Sequence, residues 1–320
     1  MIGWTFILTP LLVLPIVLLF HFVGCADIAG IKDSEPAQQS ELPKPKVPKY
    51  RDYIMGKPNN PGSVLHPDVK PDADAITAYW RLVDNATSLD AIDEKGPRKG
   101  TYRTSTDPDT IPGDFIHNLP SLIFSDPTVP SRFFNGGYVV VPADANLYKD
   151  EFTIEAWVLP GFATGSEHTL FHAGNYRGPS DQAAADHGFR VYATDTRHWQ
   201  VFLAPGGVIF PSPPLIPPGD TLTHLAVTVQ NASPGGGSKT VTIFIDGKQT
   251  VQQTVGFSYS RPDGAPLLIG VMGEQSEPSD LVTLAQPNVK QPLRSRIQEV
   301  VLHSKVLSQE EIENHVDINR

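Results

Sequence analysis

The residues best suited to chemistry are two carboxylates in the stretch EFTIEAWVLPG, Glu151 and Glu155. Side chains alternate along a strand, so residues four apart lie on the same face. Two carboxylates on one face, roughly 5–5.5 Å apart, could act as nucleophile and general acid in a retaining glycosidase. A carboxylate on a strand can also have only a structural or surface role, and we expect such a role for Glu155.

Other signatures of catalysis are missing from the sequence. It contains neither the G-x-S-x-G nucleophile elbow nor the H-E-x-x-H zinc motif. The single cysteine, Cys25, excludes an internal disulfide framework and a cysteine-based zinc site. Several histidines fall close together in sequence, but strands and loops need not bring them together: His168, His172, His187 and His198. We therefore expect a protein that is not an enzyme.

Composition narrows the classes of partner and of fold. The chain has 320 residues and a formal net charge of −10, so it lacks the basic surface by which proteins bind nucleic acid. It contains 31 prolines and 26 glycines, which is typical of many short strands separated by turns. These numbers favour one large all-β domain with additional segments.

The N-terminus carries the longest apolar run of the chain. Residues 4–24, WTFILTPLLVLPIVLLFHFVG, contain no Asp, Glu, Lys or Arg. About 20 apolar residues span a bilayer as a helix, and prolines such as Pro10 and Pro15 are tolerated there. We therefore predict a single transmembrane anchor over residues 1–25.

Two other fates of this segment are open. Gly24–Cys25 resembles a lipoprotein processing site, in which case Cys25 would carry the lipid. The segment could also be a plain secretory signal that is cleaved. All three interpretations place the rest of the chain on the periplasmic or extracellular side of a membrane.

Residues 26–72 lack the periodicity of a helix or a strand and are rich in proline, which favours an extended linker. This linker is either a spacer or a strap laid over a partner protein. The stretch YRDYIM, residues 50–55, motivates the strap, because its aromatic and aliphatic side chains are unfavourable in water.

Residues 73–320 show the alternation of short strands. FTIEAWV, HLAVTVQ and VTIFIDGK each alternate, and Asp246–Gly247 is a strong hairpin signal. Ser308 and Glu311 form a capping box before Ile312 and Val316, which predicts one short C-terminal helix. Many strands and one terminal helix predict an all-β, two-sheet jelly-roll sandwich.

Several stretches give this domain a specific resemblance: AITAYWRLVDN, RFFNGGYVVVPADANLYKDEFTIEAWVLP, LTHLAVTVQ, TVTIFIDGKQ, PLLIG and RIQEVVLHSKVLSQEEIENHV. Together and in this order they resemble the laminin-G-like, concanavalin A-like jelly-roll family. The same fold hosts glucanases, whose resemblance would require an E-x-D-x-x-E strand. The sequence has no such strand, so a glycosidase is only a remote alternative.

The resemblance also implies two kinds of binding site. The loop after LLIG is similar to the acidic calcium loop of pentraxins, which share the fold, and a calcium site would use Glu274, Gln275, Glu277 and Asp280 with Asp181 or Asp186 from an earlier loop. Sugar sites on this fold use aromatic rings and hydrogen-bonding side chains in loops, and the candidates are Tyr176, Arg177, Trp199 and Phe210. Trp199 lies in an alternating stretch and equally fits the core.

Two functions follow as hypotheses. The first is a membrane-anchored accessory subunit, with helix, linker and jelly roll each contacting the lipid bilayer or other subunits of a membrane complex. The second is a cell-surface lectin-like module that binds glycan or matrix, with calcium as the candidate ion.

Overall fold

The computed structural model describes most of the predicted globular domain. The described residues are 50–55, 73–84, 87–104, 114–124, 127–128, 130–161, 165–174, 187–207, 210, 214–216, 221–262, 264–273 and 289–319. The chain divides into Met1–Lys44 and Pro45–Arg320, and all described residues belong to the second unit. The predicted anchor, Cys25 and most of the predicted linker lie outside them. None of the described helices is long and apolar enough to cross a membrane.

Two antiparallel sheets form the body of the domain. Sheet A has the order β13-β12-β11-β7-β17-β5-β4, with β1 also pairing with β17, and its strands are β1 (Ile76–Trp80), β4 (Asp114–Leu119), β5 (Ser131–Asn135), β7 (Phe152–Pro160), β11 (Thr223–Asn231), β12 (Lys239–Ile245), β13 (Lys248–Val255) and β17 (Arg294–His303). Sheet B has the order β10-β9-β8-β14-β6-β3-β2, and its strands are β2 (Asp90–Ala91), β3 (Gly100–Thr104), β6 (Gly137–Val141), β8 (His168–Gly174), β9 (Gly188–Ala193), β10 (Trp199–Leu203) and β14 (Leu267–Ile269).

Smaller elements complete the domain. Strands β15 (Met272–Gly273) and β16 (Val289–Lys290) form a two-stranded ribbon, and Ala73–Ala75 is a 3₁₀ turn. Helix α1 is Tyr50–Ile54 and helix α2 is Gln309–Asn319. This architecture confirms the predicted two-sheet β-sandwich with a C-terminal helix.

The core between the sheets follows from the alternation of side chains along the strands. In β7 the core-facing residues are Phe152, Ile154, Ala156 and Val158, whereas Trp157 packs on the outer face of sheet A. Both faces of β7 are therefore buried, so every polar side chain on its outer face needs a partner inside the protein.

The β12–β13 hairpin turns where the sequence predicts. Asp246 and Gly247 have φ values of 51° and 82°, the left-handed pair that a two-residue Asp-Gly turn requires. A Cβ atom on Gly247 would lie 3.0 Å from Cα of Glu313. The turn therefore packs directly against α2, and glycine is needed here for space as well as for conformation.

Part of the predicted linker packs on the sandwich. Tyr50 and Ile54 of α1 are fully buried in a cluster on the outer face of sheet A that includes Trp157 and Val316. Arg51 fixes the helix further through a 2.6 Å ion pair with Glu94. The sequence predicts an extended spacer or a strap on a partner protein for this stretch. Instead, Tyr50 and Ile54 are buried against the domain of the same chain.

Helix α2 begins with the predicted capping box. The backbone N–H of Ser308 donates to Glu311 Oε2 at 2.6 Å, and the N–H of Glu311 donates to Ser308 Oγ at 3.2 Å. Ile312 and Val316 are buried as the i, i+4 spacing predicts. Two backbone donors that would otherwise lack partners at the helix start are satisfied in this way.

Substituting Ser308→Ala removes the hydroxyl acceptor for the N–H of Glu311. We expect the free energy of unfolding to fall by about 1 kcal/mol, measured by urea unfolding followed by tryptophan fluorescence. Ser233→Ala, in an exposed loop, is the control and should change stability by less than about 0.5 kcal/mol. Equal effects of the two substitutions would contradict the capping role.

Candidate functional site

The outer face of sheet B carries a group of aromatic and charged side chains near its β10 edge. In the β9 stretch GFRVYA, Phe189, Val191 and Ala193 face the core, so Arg190 and Tyr192 face outward. Phe202 on β10 pairs with Arg190 across the strands. Together with Glu167 these residues form what we call the Arg190 patch: Glu167, Arg190, Tyr192 and Phe202.

Arg190 organises the patch. Its guanidinium lies 3.8 Å from the centre of the Tyr192 ring, a cation–π arrangement. Its Nη2 donates to Glu167 Oε2 and its Nε donates to Thr169 Oγ1, both at 2.9 Å. Gln291 Nε2 donates to the same oxygen of Glu167 at 2.9 Å. The guanidinium is therefore held in one orientation by three different groups.

The aromatic rings of the patch combine packing with access to solvent. Tyr192 and Phe202 are both half-buried. Burial raises the pKa of the Tyr192 hydroxyl, although the Arg190 cation opposes this shift, so the hydroxyl stays protonated and can both donate and accept. Half-exposed ring faces beside a fixed Arg–Glu pair can contact an apolar ligand face and hydrogen-bond its polar groups.

His172 lies on the same outer face, opposite Arg190 in the β8–β9 pairing. It is 1% exposed, and its Nδ1 accepts a 3.3 Å hydrogen bond from the N–H of Gly273. Burial and the nearby Arg190 cation lower the pKa of His172 from 6.5 to about 3. The imidazole is therefore neutral at physiological pH.

The structure places two of the sugar-site candidates inside the sandwich. Trp199 and Phe210 lie in the inter-sheet core with 0% and 1% exposure, so neither ring offers a face to a ligand. Trp199 and Phe202 share β10 but face opposite sides of the sheet because they are three residues apart. The remaining candidates lie outside the described residues: Tyr176, Arg177, Asp181, Asp186, Glu274, Gln275, Glu277 and Asp280.

The four histidines noted in the sequence do not gather into one cluster. His168 Nδ1 donates to the carbonyl of Pro292 at 2.8 Å, and the His198 ring contacts Thr196 Oγ1 at 3.2 Å. Among the described residues, the group with the geometry to hold a metal ion is a different one, Glu155, His303 and His315.

Glu155 is the centre of a fully buried cluster on the outer face of sheet A. His303 Nε2 donates to Glu155 Oε1 at 2.9 Å, and His315 Nδ1 donates to Oε2 at 3.0 Å. His224 Nε2 lies 3.3 Å from Oε2. All four side chains have 0% exposure. Residue order alone does not reveal this cluster, because its members come from three strands and a helix.

The cluster keeps Glu155 ionised. Burial alone would raise the pKa of the carboxyl, but the charge of His315 and hydrogen bonds from the imidazoles hold it well below its usual range. Glu151 is engaged separately, since its Oε1 accepts from the N–H of Asn231 at 2.8 Å. The two carboxylates considered as a catalytic pair therefore have different partners, and Glu155 is enclosed.

Glu299 is a second fully buried carboxylate of sheet A. It lies at an irregularity in the β17–β7 pairing and has a φ of 55°. Arg81 Nε donates to its Oε1 at 3.1 Å, and the Tyr79 hydroxyl donates to its Oε2. Burial, followed by the negative charge of Glu299, raises the pKa of Tyr79 well above 10.0.

Comparison with known proteins confirms the resemblance seen in the sequence. Residues 133–313 match a laminin G domain model described as the concanavalin A-like lectin/glucanases superfamily. No curated protein matches the chain.

Three solved structures illustrate the distant structural similarity. A Trypanosoma rangeli sialidase in complex with sialic acid is 16% identical, with 75% of this chain and 32% of the sialidase covered and a TM-score of 0.47. Domain 4 of AbnA, a GH43 extracellular arabinanase from Geobacillus stearothermophilus in complex with arabinotriose, is 16% identical, with 77% and 98% covered and a TM-score of 0.45. The botulinum neurotoxin type G receptor binding domain is 11% identical, with 76% and 51% covered and a TM-score of 0.45. The chain thus spans about a third of the sialidase.

The depressed pKa of His172 predicts a pH-dependent stability. Between pH 6.5 and about 3 the unfolded chain binds a proton at His172 that the folded chain does not, so stability falls as pH falls through this window. The contribution is at most about 1.4 kcal/mol per pH unit. His172→Asn, which keeps an acceptor but does not titrate, should show a shallower decline in urea unfolding across this range. Parallel pH profiles for the two proteins would contradict the assignment.

Proposed function

We propose that this chain, which belongs to the concanavalin A-like lectin/glucanases superfamily, is a non-catalytic, lectin-like module that binds carbohydrate. The observation that carries the proposal is the Arg190 patch, which combines half-buried aromatic rings with a fixed guanidinium–carboxylate pair on one face of the sandwich. Family membership supplies the ligand class, and the patch supplies a surface with the chemistry to recognise it.

The two parts of the patch suit the two kinds of surface on a sugar. A pyranose ring presents C–H groups on its faces and hydroxyls at its edge. Tyr192 and Phe202 offer apolar ring surface for the C–H face. Glu167, whose side chain is 35% exposed, offers acceptors for the hydroxyls, and it needs little reordering because Gln291 and the buried Arg190 already hold it.

The described carboxylates support a binding role over glycoside hydrolysis. A glycosidase needs two carboxyl groups facing one bond, one of them free to donate a proton. The carboxylate of the Arg190 patch is Glu167, which is paired with Arg190 and Gln291. Glu155 and Glu299 are fully buried within sheet A and are engaged by histidines, Arg81 and Tyr79.

The membrane part of the proposal rests on the sequence. Residues 4–24 have the length and apolar character of a membrane helix, and Cys25 offers a lipidation site as the alternative means of attachment. Either arrangement holds the sandwich on the periplasmic or extracellular side, where glycans are exposed. Residues 26–72 then connect the anchor to the domain.

A second candidate function is that of an accessory subunit in a membrane complex. Exposed apolar side chains favour it, since Leu89 and Ile92 flank the short edge strand β2 with 71% and 46% exposure. Phe124 is 65% exposed elsewhere on the surface. Such side chains are suited to contact with a partner protein, although each is small in area by itself.

Removing one ring of the Arg190 patch tests the carbohydrate hypothesis. Phe202→Ala should weaken binding of the best oligosaccharide from a diverse panel by at least about tenfold, or roughly 1.4 kcal/mol, in calorimetric titration. Phe124→Ala removes a ring of the same size outside the patch and should leave affinity unchanged. Equal affinities for wild type and Phe202→Ala would rule out the patch as the binding surface.

Purification of the full chain in mild detergent tests the anchor. We expect the chain in the membrane fraction, with an intact mass that begins either at Met1 or at a lipid-modified Cys25. A stoichiometric second protein that co-purifies, and that Leu89→Ser releases, would support the accessory role. Recovery of the chain from the cytosol would contradict membrane attachment.

A further inference from the structure

We propose that Glu155, His224, His303 and His315 bind one Zn²⁺ ion, which fastens helix α2 to sheet A. This site is independent of the carbohydrate-binding proposal, because it lies on the outer face of the opposite sheet. It also differs from the calcium loop expected from the sequence, since nitrogen atoms dominate the ligand set.

The topology of sheet A brings the four residues together. Strand β7 lies between β11 and β17, so Glu155 has a neighbouring strand on each side. Ala226 of β11 and Val301 of β17 lie directly opposite Glu155. His224 and His303 are each two residues from those positions, in opposite directions along β7, and so flank Glu155 diagonally on the same face. His315 reaches the carboxylate from α2.

The distances fit a coordination shell. Nitrogen atoms of three imidazoles lie 2.9 Å, 3.0 Å and 3.3 Å from the Glu155 oxygens. The ligand atoms of Glu155, His303 and His315 all lie within 4.8 Å of one another. Ligands about 2.0–2.2 Å from a tetrahedral Zn²⁺ are separated from each other by roughly 3.4 Å. Small movements of these three side chains would let them share one ion, and the His224 ring, 3.3 Å from Oε2 of the carboxylate, must turn toward the ion to become the fourth ligand.

His224 supplies an independent observation. It is fully buried, its Nδ1 has no hydrogen-bond partner among the described residues, and its Nε2 lies 3.3 Å from Glu155 Oε2. Its Nε2 therefore lies beside the carboxylate that the other two imidazoles also contact.

The identity of the donors selects the metal. Three imidazole nitrogens and one carboxylate oxygen suit Zn²⁺, whereas Ca²⁺ takes six to eight oxygens. Each coordinating nitrogen must be unprotonated, so the ion replaces protons that otherwise lie between the imidazoles and the carboxylate. Four protein ligands and complete burial leave no position for substrate, so the site is structural.

The surroundings show what the ion would stabilise. The rings of His303 and His315 stack at 5.9 Å, and Trp157 packs against His224 at 4.9 Å. The Tyr50 ring meets His315 edge-on at 6.3 Å. Coordination of His315 therefore fixes α2 and, through Tyr50, helix α1 on the outer face of sheet A.

Metal analysis of the full chain tests the proposal. Protein purified without chelators should contain about one zinc ion per chain, measured by inductively coupled plasma mass spectrometry. His303→Ala should lose most of this zinc, and His198→Ala, a histidine outside the cluster, should retain it. Wild-type protein stripped with dipicolinate and reloaded should regain its zinc and its melting temperature.

The absorption spectrum of bound Co²⁺ tests the site in the wild-type protein itself, so the test does not require a variant to fold. Stripped wild-type protein loaded with Co²⁺ should show the intense visible absorption of a four-coordinate ion, and His315→Gln should abolish it. A wild-type chain that holds no stoichiometric zinc as purified, shows no rise in melting temperature with Zn²⁺ and gives no four-coordinate Co²⁺ spectrum would overturn the proposal. The cluster would then be a hydrogen-bonded carboxylate only.

Discussion

The enclosed carboxylate of Glu155 is the constraint on which one half of the structure depends. Strand β7 is covered on its inner face by sheet B and on its outer face by α1, α2 and the residues packed with them. An unpaired charge in such a position would be strongly destabilising. The strands on both sides of β7 and helix α2 therefore each contribute a histidine to it. The position of α2 is a consequence of that requirement as much as of its apolar contacts.

The two outer faces of the sandwich consequently differ in what they can do. The outer face of sheet A is closed over β7 and β17, and the buried carboxylates there are paired: Glu155 with histidines, and Glu299 with Arg81 and Tyr79. The outer face of sheet B keeps Tyr192 and Phe202 half-exposed beside Arg190. A closed, internally neutralised face gives rigidity, and a half-open aromatic face gives a surface for a ligand. The proposed functions follow this division.

The sequence predicts local features well because they depend on near neighbours. The alternation in β7, the Asp246–Gly247 turn and the Ser308–Glu311 capping box all appear where the pattern places them. The Arg190 patch was within reach of the same reasoning, since GFRVYA alternates and sends Arg190 and Tyr192 outward. The histidine cluster could not be predicted in this way, because it depends on β7 lying between β11 and β17 and on the docking of α2. The docking of α1 likewise needs the completed outer face of sheet A.

The claim that carbohydrate binds the outer face of sheet B is tested most directly by a crystal structure of the chain with the tightest-binding oligosaccharide. We expect a sugar ring in contact with Tyr192 or Phe202 and a sugar hydroxyl hydrogen-bonded to Glu167. A saccharide bound elsewhere, with no contact to any residue of the Arg190 patch, would contradict this claim.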